Sequence, residues 1–141
     1  MKYPFTGGCV CGEVRYECGS PPLKMLNCHR RDCQQLSGGP NAPVVVASLQ
    51  TFTVTKGALE RFAITRLNGR QNLRGFCAKC GSRLTVGEDP ERGIIGVMAC
   101  SLDDPSWYKP EMDIFVGKAQ VWHTMNPDLP KHQQYPPRLA K

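Results

Sequence analysis

The chain lacks any apolar run near the roughly 20 residues that a membrane-spanning helix needs. Its first eight residues also lack the long apolar core of a secretory signal. These absences predict a soluble protein with no membrane partner, and a cytoplasmic location if Met1 is the native start. The 18 Lys and Arg residues, which give a formal charge of +6, form no basic stripe with interleaved aromatic residues. Nucleic acid is therefore not predicted as a partner.

Internal repeats and low-complexity tracts are absent as well, and the 141 residues suit one domain. The chain does contain eight cysteines. A secreted mini-protein with an even cysteine count would suggest disulfides, but this chain is too long for that class. Several of the cysteines are paired at metal-ligand spacing, which favours reduced thiolates bound to metal.

Short runs rich in Val, Ile, Phe and Thr, separated by Gly or Pro, predict a mainly β domain of short antiparallel sheets. The predicted strands are 13–18, 44–49, 51–55, 59–65, 94–100 and 112–116. The predicted helix is 31–37, stopped by Gly38 and Gly39. We assign residues 1–125 to a zinc-binding domain and 126–141 to a proline-rich tail packed on it without regular structure. Trp107, Tyr108 and Trp122 are expected in the core or in a pocket wall.

Two cysteine pairs lie far apart in the sequence, Cys9 with Cys11 and Cys77 with Cys80. Structural zinc takes four soft ligands in a closed tetrahedron, and two close pairs on separate turns supply them. Neighbouring glycines permit the tight backbone that points both sulfurs inward. The pattern predicts one structural Zn²⁺ that contributes to folding. A redox role for Cys77 and Cys80, or four ordinary buried thiols, are the alternatives.

A second group consists of Cys28 and Cys33, with His29 and Asp32 between them. Catalytic zinc keeps three protein ligands and one exchangeable position. Cys28 and Cys33 would be two ligands, and a third would have to be His29, Asp32 or a distant residue. The alternative is a pair of reduced thiols without metal.

The same segment contains Arg30 and Arg31. Two guanidinium groups would lower the thiolate pKa values and attract an anionic ligand. We therefore predict Cys28 and Cys33 as catalytic residues, and Arg30 and Arg31 as substrate-binding residues.

Several motifs occur together in an order that resembles one known family. They are Gly7-Gly8-Cys9-Val10-Cys11-Gly12 followed by Arg15-Tyr16, Asn27-Cys28-His29 with Cys33 and Ser37-Gly38, Phe76-Cys77 with Cys80-Gly81-Ser82, Leu102-Asp103-Asp104-Pro105, and Ile114-Phe115-Val116 with Trp122. The chain resembles the glutathione-dependent formaldehyde-activating enzyme family, also called the centromere protein V/GFA domain family.

The resemblance implies a β-rich zinc fold shared with methionine sulfoxide reductase B. It implies structural zinc at Cys9, Cys11, Cys77 and Cys80, and a carbon–sulfur lyase that joins formaldehyde to glutathione. The family's second, catalytic zinc uses Cys-x-Cys-x-x-Cys, which maps onto positions 28, 30 and 33. Position 30 is arginine here, and a guanidinium cannot ligate zinc. Occupancy of a second zinc site and the activity itself are therefore left open.

Three functions remain as hypotheses. The first is an enzyme that acts on glutathione or another small thiol, or on its aldehyde adducts. The second is a non-catalytic zinc-stabilised binding module. The third is a thiol redox protein that uses Cys28 and Cys33, with Cys100 as a further partner or simply a core residue. The sequence does not determine the oligomeric state.

Overall fold

A computed structural model describes residues 3–136, which form two β-sheets and one α-helix. The smaller sheet contains β1 (Phe5–Gly8), β2 (Arg15–Cys18) and β5 (Phe52–Lys56). Its order is β1-β2-β5 and both pairings are antiparallel. No helix in the described part of the chain is long and apolar enough to cross a membrane.

The larger sheet contains the other eight described strands. In spatial order they are β11 (Lys131–His132), β10 (Met112–Ile114), β3 (Lys24–Cys28), β4 (Ala42–Ser48), β9 (Ile94–Met98), β8 (Arg83–Asp89), β7 (Gln71–Phe76) and β6 (Glu60–Thr65). All pairings are antiparallel except those of β10, which is parallel to both β3 and β11. The mainly β class with antiparallel sheets is thus confirmed, and β10 is the exception.

The central strand β4 separates two hydrophobic clusters. Side chains alternate across a strand, so Val45 and Ala47 belong to one cluster while Val44 and Val46 belong to the other. The first cluster packs against the small sheet and contains Cys9 and Cys77, and the second contains Cys28 and Cys33. The large sheet therefore keeps the two cysteine groups in separate parts of the core.

The predicted helix is confirmed as α1 (Arg31–Ser37). Asp32 in the first turn accepts a hydrogen bond from the Cys33 amide (3.0 Å). Gly38 ends the helix with φ 74, a left-handed conformation, and its N–H donates to the Gln34 carbonyl (2.9 Å). The helix buries Cys33, Gln34 and Leu36.

Two expectations about single residues were wrong. Trp107 and Tyr108 pack against the first cluster, but Trp122 is 68% exposed. Cys100 was expected in the core of an extended run at 94–100, yet strand β9 stops at Met98 and Cys100 lies exposed in a 3-10 turn.

The C-terminal segment adds β11, which the sequence did not predict. Lys131 and His132 pair in parallel with Asp113 and Ile114. The remaining described tail residues are irregular. The two ends of the predicted domain and tail, residues 1–2 and 137–141, lie outside the described part of the chain. The division at residue 125 stays a prediction.

Candidate metal centre and cysteine cavity

The loops after β1 and β7 bring four thiols together. Every pair of Sγ atoms among Cys9, Cys11, Cys77 and Cys80 lies within 4.8 Å. Cys11 Sγ lies 3.6 Å from Cys9 Sγ and 3.8 Å from Cys77 Sγ. We call these four residues the four-cysteine cluster.

These separations fit one bound metal ion. A tetrahedron with metal–sulfur bonds of about 2.3 Å places its sulfurs roughly 3.8 Å apart, as in structural zinc sites. The thiols of Cys9 and Cys77 are buried and those of Cys11 and Cys80 are not. A closed set of four thiolates of this kind can hold a metal ion without leaving a position for substrate.

Backbone turns position the four thiols of the cluster. The Gly81 N–H donates to the Cys77 carbonyl (2.8 Å), and Gly81 has φ 77, which favours glycine. The Cys77 N–H donates in turn to the Ser82 carbonyl (3.0 Å). On the other loop, the Val14 N–H donates to Cys9 Sγ (3.2 Å).

Ser82 connects the two loops. Its Oγ accepts a hydrogen bond from the Val10 N–H (3.1 Å) and lies 3.2 Å from Cys80 Sγ. Hydrogen bonds from the Ser82 side chain and backbone lower the pKa of the Cys80 thiol to about 5. A thiolate is the form of cysteine that ligates metal, so these contacts favour metal binding.

The second cysteine pair lies where β3 ends and α1 begins. Cys28 is the last residue of β3, Cys33 lies in α1, and both buried side chains line the same cavity. Interaction with Cys33 lowers the pKa of the Cys28 thiol, and interaction with Cys28 raises the pKa of the Cys33 thiol. These opposite shifts favour a Cys28 thiolate beside a neutral Cys33 thiol.

Both local candidates for a third ligand, His29 and Asp32, have other partners. His29 is fully buried, and its Nε2 donates to Asp113 Oδ1 (2.9 Å). Asp32 Oδ2 lies 2.7 Å from Arg74 Nη2. Within residues 3–136, the four-cysteine cluster is the one group of three or more His, Cys, Asp or Glu ligands close enough to share an ion. Here the expected replacement ligands are engaged elsewhere.

The two arginines beside the pair have different surroundings. The Arg30 guanidinium stacks 4.2 Å from the centre of the Phe115 ring and donates to the Tyr135 hydroxyl (2.9 Å). Arg31 is exposed and donates to Gln34 Oε1 (2.8 Å). Both side chains line the same cavity as the cysteine pair.

We call this space the cysteine cavity; its volume is about 900 Å³. Its apolar wall includes Leu26, Val44 and Val46. Sequence reasoning missed many of its other polar lining residues, among them Arg66, Asn72 and Tyr135. They come from a turn, strand β7 and the tail, and no local pattern links them to residues 28–33. The cavity thus combines buried thiols with more cationic side chains than carboxylates, and the carboxylates are those of Asp32, Glu88 and Asp89.

Comparison with known protein families identifies the family of this chain. The model of the glutathione-dependent formaldehyde-activating enzyme family (GFA family) matches residues 4–118, which include both cysteine groups. The chain is a member of this family. The expected resemblance is thereby confirmed.

A solved structure from Rhodobacter sphaeroides, a structural genomics target, has a similar fold. The two sequences are 19% identical, and the TM-score of the two structures is 0.56. The match covers 89% of this GFA-family chain and 98% of the Rhodobacter chain. At that identity the likeness shows the fold alone.

Proposed function

We propose that this GFA-family protein holds one structural zinc ion at the four-cysteine cluster and acts on small-thiol adducts of aldehydes in the cysteine cavity. Glutathione is the thiol that the family suggests. The observation that supports the proposal is that Cys28 and Cys33, which the family resemblance implies as catalytic, line one cavity together with several arginines.

Zinc at the four-cysteine cluster would act on folding and not on the reaction. It would join the loop after β1 to the loop between β7 and β8, and so tie the small sheet to the large one. Ligands from such distant segments make metal binding part of the folding free energy. The donor set fits zinc because thiolates are soft ligands and the sulfurs are spaced for a tetrahedron.

Chemistry in the cavity would use Cys28 as the base. In the forward direction, the Cys28 thiolate takes the proton of the substrate thiol, and the substrate sulfur forms a bond to the aldehyde carbon. The carbonyl π electrons move onto oxygen, which recovers the proton from Cys28. Cys33, as the neighbouring neutral thiol, would stabilise the Cys28 thiolate. Among the described residues, Cys28 and Cys33 belong to no group of three metal ligands, and this step uses only the two thiols and the substrate.

The test is exchange NMR of glutathione with formaldehyde. We expect the wild-type protein to accelerate formation of the adduct above the spontaneous rate, and Cys28→Ser to abolish the acceleration. Cys100→Ser, which removes an exposed thiol elsewhere, is the matched control and should retain it. If the wild-type protein gives no acceleration, the proposal is wrong and the non-catalytic binding module is favoured.

The presence of Cys28 and Cys33 in one cavity, with pKa values shifted in opposite directions by their interaction, favours a second candidate, a thiol redox pair. The Cys28 thiolate would attack a small-molecule disulfide and release one thiol, and Cys33 would then displace the second thiol to form the Cys28–Cys33 bond. Both protein thiols are oxidised and the reagent is reduced to two thiols. Incubation with glutathione disulfide, followed by peptide mass spectrometry, tests it; a chain that forms no Cys28–Cys33 bond removes this candidate.

A further inference from the structure

Two guanidinium groups of the cysteine cavity converge on one oxygen atom. Arg30 Nη1 and Arg66 Nη1 donate to the Tyr135 hydroxyl at 2.9 Å and 2.8 Å. The phenol is neutral, so it satisfies hydrogen bonds but balances no charge. Tyr135 is held in place by its ring, which packs edge-on against Phe115 with centroids 4.9 Å apart.

Arg66 differs from its neighbours in lacking an acidic partner among residues 3–136. Arg70, which lines the same cavity, lies 3.0 Å from Asp89, and the buried Arg74 lies 2.7 Å from Asp32. The Arg66 Nε atom is also buried and has no hydrogen-bond partner in the described structure. A buried donor on a cation without a counter-charge is costly unless a ligand supplies the acceptor.

Asn72 is a second cavity residue, after Arg66, with a buried donor that lacks a hydrogen-bond partner in the described structure. Asn72 is 1% exposed and lines the cavity, and its Oδ1 accepts from the Gly87 N–H (2.8 Å). Its Nδ2 donates to nothing in the described part of the chain. The native structure of a folded protein leaves few such donors unsatisfied, and one that lines a cavity points to a ligand acceptor.

We propose that Arg30 and Arg66 form a carboxylate-binding subsite, in which a substrate carboxylate replaces the Tyr135 hydroxyl. Guanidinium groups bind carboxylates through paired, charge-assisted hydrogen bonds, which a phenol oxygen does not match. Asn72 supplies a further donor to the polar end of the ligand. The ligand class is a thiol-derived compound that also bears a carboxylate, with its sulfur at Cys28. This inference rests on the proposed function for the choice of cavity, but it concerns binding and not turnover.

The experiment measures binding by isothermal titration calorimetry, with S-methylglutathione and its diethyl ester as probes. Neither probe has a free thiol, so catalysis does not interfere. We expect the wild-type protein to bind the acid about tenfold more tightly than the ester, as expected for charged hydrogen bonds. Arg66→Gln should remove this difference.

Arg70→Gln is the matched control because Arg70 lines the same cavity but is already paired with Asp89. It should keep the preference for the acid. Tyr135→Phe removes the competing hydroxyl, so it should bind the acid at least as tightly as wild type. Thermal melting of each variant checks that it is folded.

Three results would overturn the subsite: an unchanged preference in Arg66→Gln, an equal loss in Arg70→Gln, or a wild-type protein that binds neither probe. Binding with the expected pattern but without any turnover would support the subsite and refute the enzymatic proposal. Turnover that does not depend on Arg66 would support the enzymatic proposal and refute the subsite.

Discussion

The Arg30 guanidinium lies 4.2 Å from the centre of the Phe115 ring and donates a hydrogen bond to the Tyr135 hydroxyl (2.9 Å). Both contacts stabilise a cation that lines the same cavity as Cys28 and Cys33. A cation there would repel a metal ion bound to the two cysteines. Arg30 thus stands where the family resemblance implies a third thiol, and it packs against the residue that follows β10 and against the tail.

Restoring the third thiol should restore a second metal site. We expect Arg30→Cys to raise the zinc content to about two ions per chain, because three protein ligands suffice for an open zinc site. Mass spectrometry of the metal content measures this. Arg31→Cys, which places a thiol on the adjacent exposed position, is the control and should leave the content unchanged. Equal metal gain in both variants would contradict a specific site at positions 28, 30 and 33.

Gly38 should be sensitive to substitution because it ends α1 in a left-handed conformation, with φ 74. We expect Gly38→Ala to lower the free energy of unfolding by about 1–2 kcal/mol, the cost of that conformation for a residue with a Cβ. Urea denaturation measures the change. Gly39→Ala, whose Cβ would meet only Ser37 Oγ at 3.8 Å, should change stability by less than about 0.5 kcal/mol. If both variants lose equally, the capping account fails.

The buried carboxyl group of Asp113 should stabilise the fold to an extent that depends on pH. Burial opposes ionisation of its carboxyl, but hydrogen bonds from His29, Lys131 and Asn27 outweigh burial and lower its pKa below the usual 3.8. A carboxyl whose pKa is lowered on folding stabilises the native state above its ordinary pKa. That stabilisation is lost as the pH falls through the lowered value.

We therefore expect Asp113→Asn to cost about 1–3 kcal/mol at pH 7, because it removes the anion that accepts hydrogen bonds from the buried His29 and from Lys131. The difference from wild type should shrink as the pH drops below about 4. Chemical denaturation at several pH values measures it, and metal release in acid affects both proteins equally. Asp128→Asn, at an exposed position, is the control. A difference independent of pH would contradict the assigned role.

The features predicted from sequence are those with local causes. Helix α1 follows from its residues and from the two glycines that stop it. The four-cysteine cluster was predictable because each pair of cysteines is a short sequence motif. A structural zinc site needs four ligands, so one pair predicts that the other lies beside it. Strands β7 and β8 were missed because their inward side chains include Asn72, Arg74 and Thr85, so the expected polar and apolar alternation is absent.

The sequence predicted only one member of the proposed carboxylate subsite, Arg30, and gave no signal for Arg66 or Tyr135. Arg66 belongs to the turn after β6, and Tyr135 lies in a tail that reads as irregular. Only the pairing of β11 with β10 brings the tail to the cavity. Contacts between such distant segments are a property of topology, which periodicity and residue type do not encode.

Zinc K-edge X-ray absorption of the purified protein tests the central claim most directly. Four sulfur ligands at about 2.3 Å around one zinc per chain are expected from the four-cysteine cluster. Removal of the metal by a chelator should then unfold the chain, as it does when ligands are far apart in sequence. A metal shell with fewer than four sulfurs, or a chain that keeps its fold after complete chelation, would contradict the account.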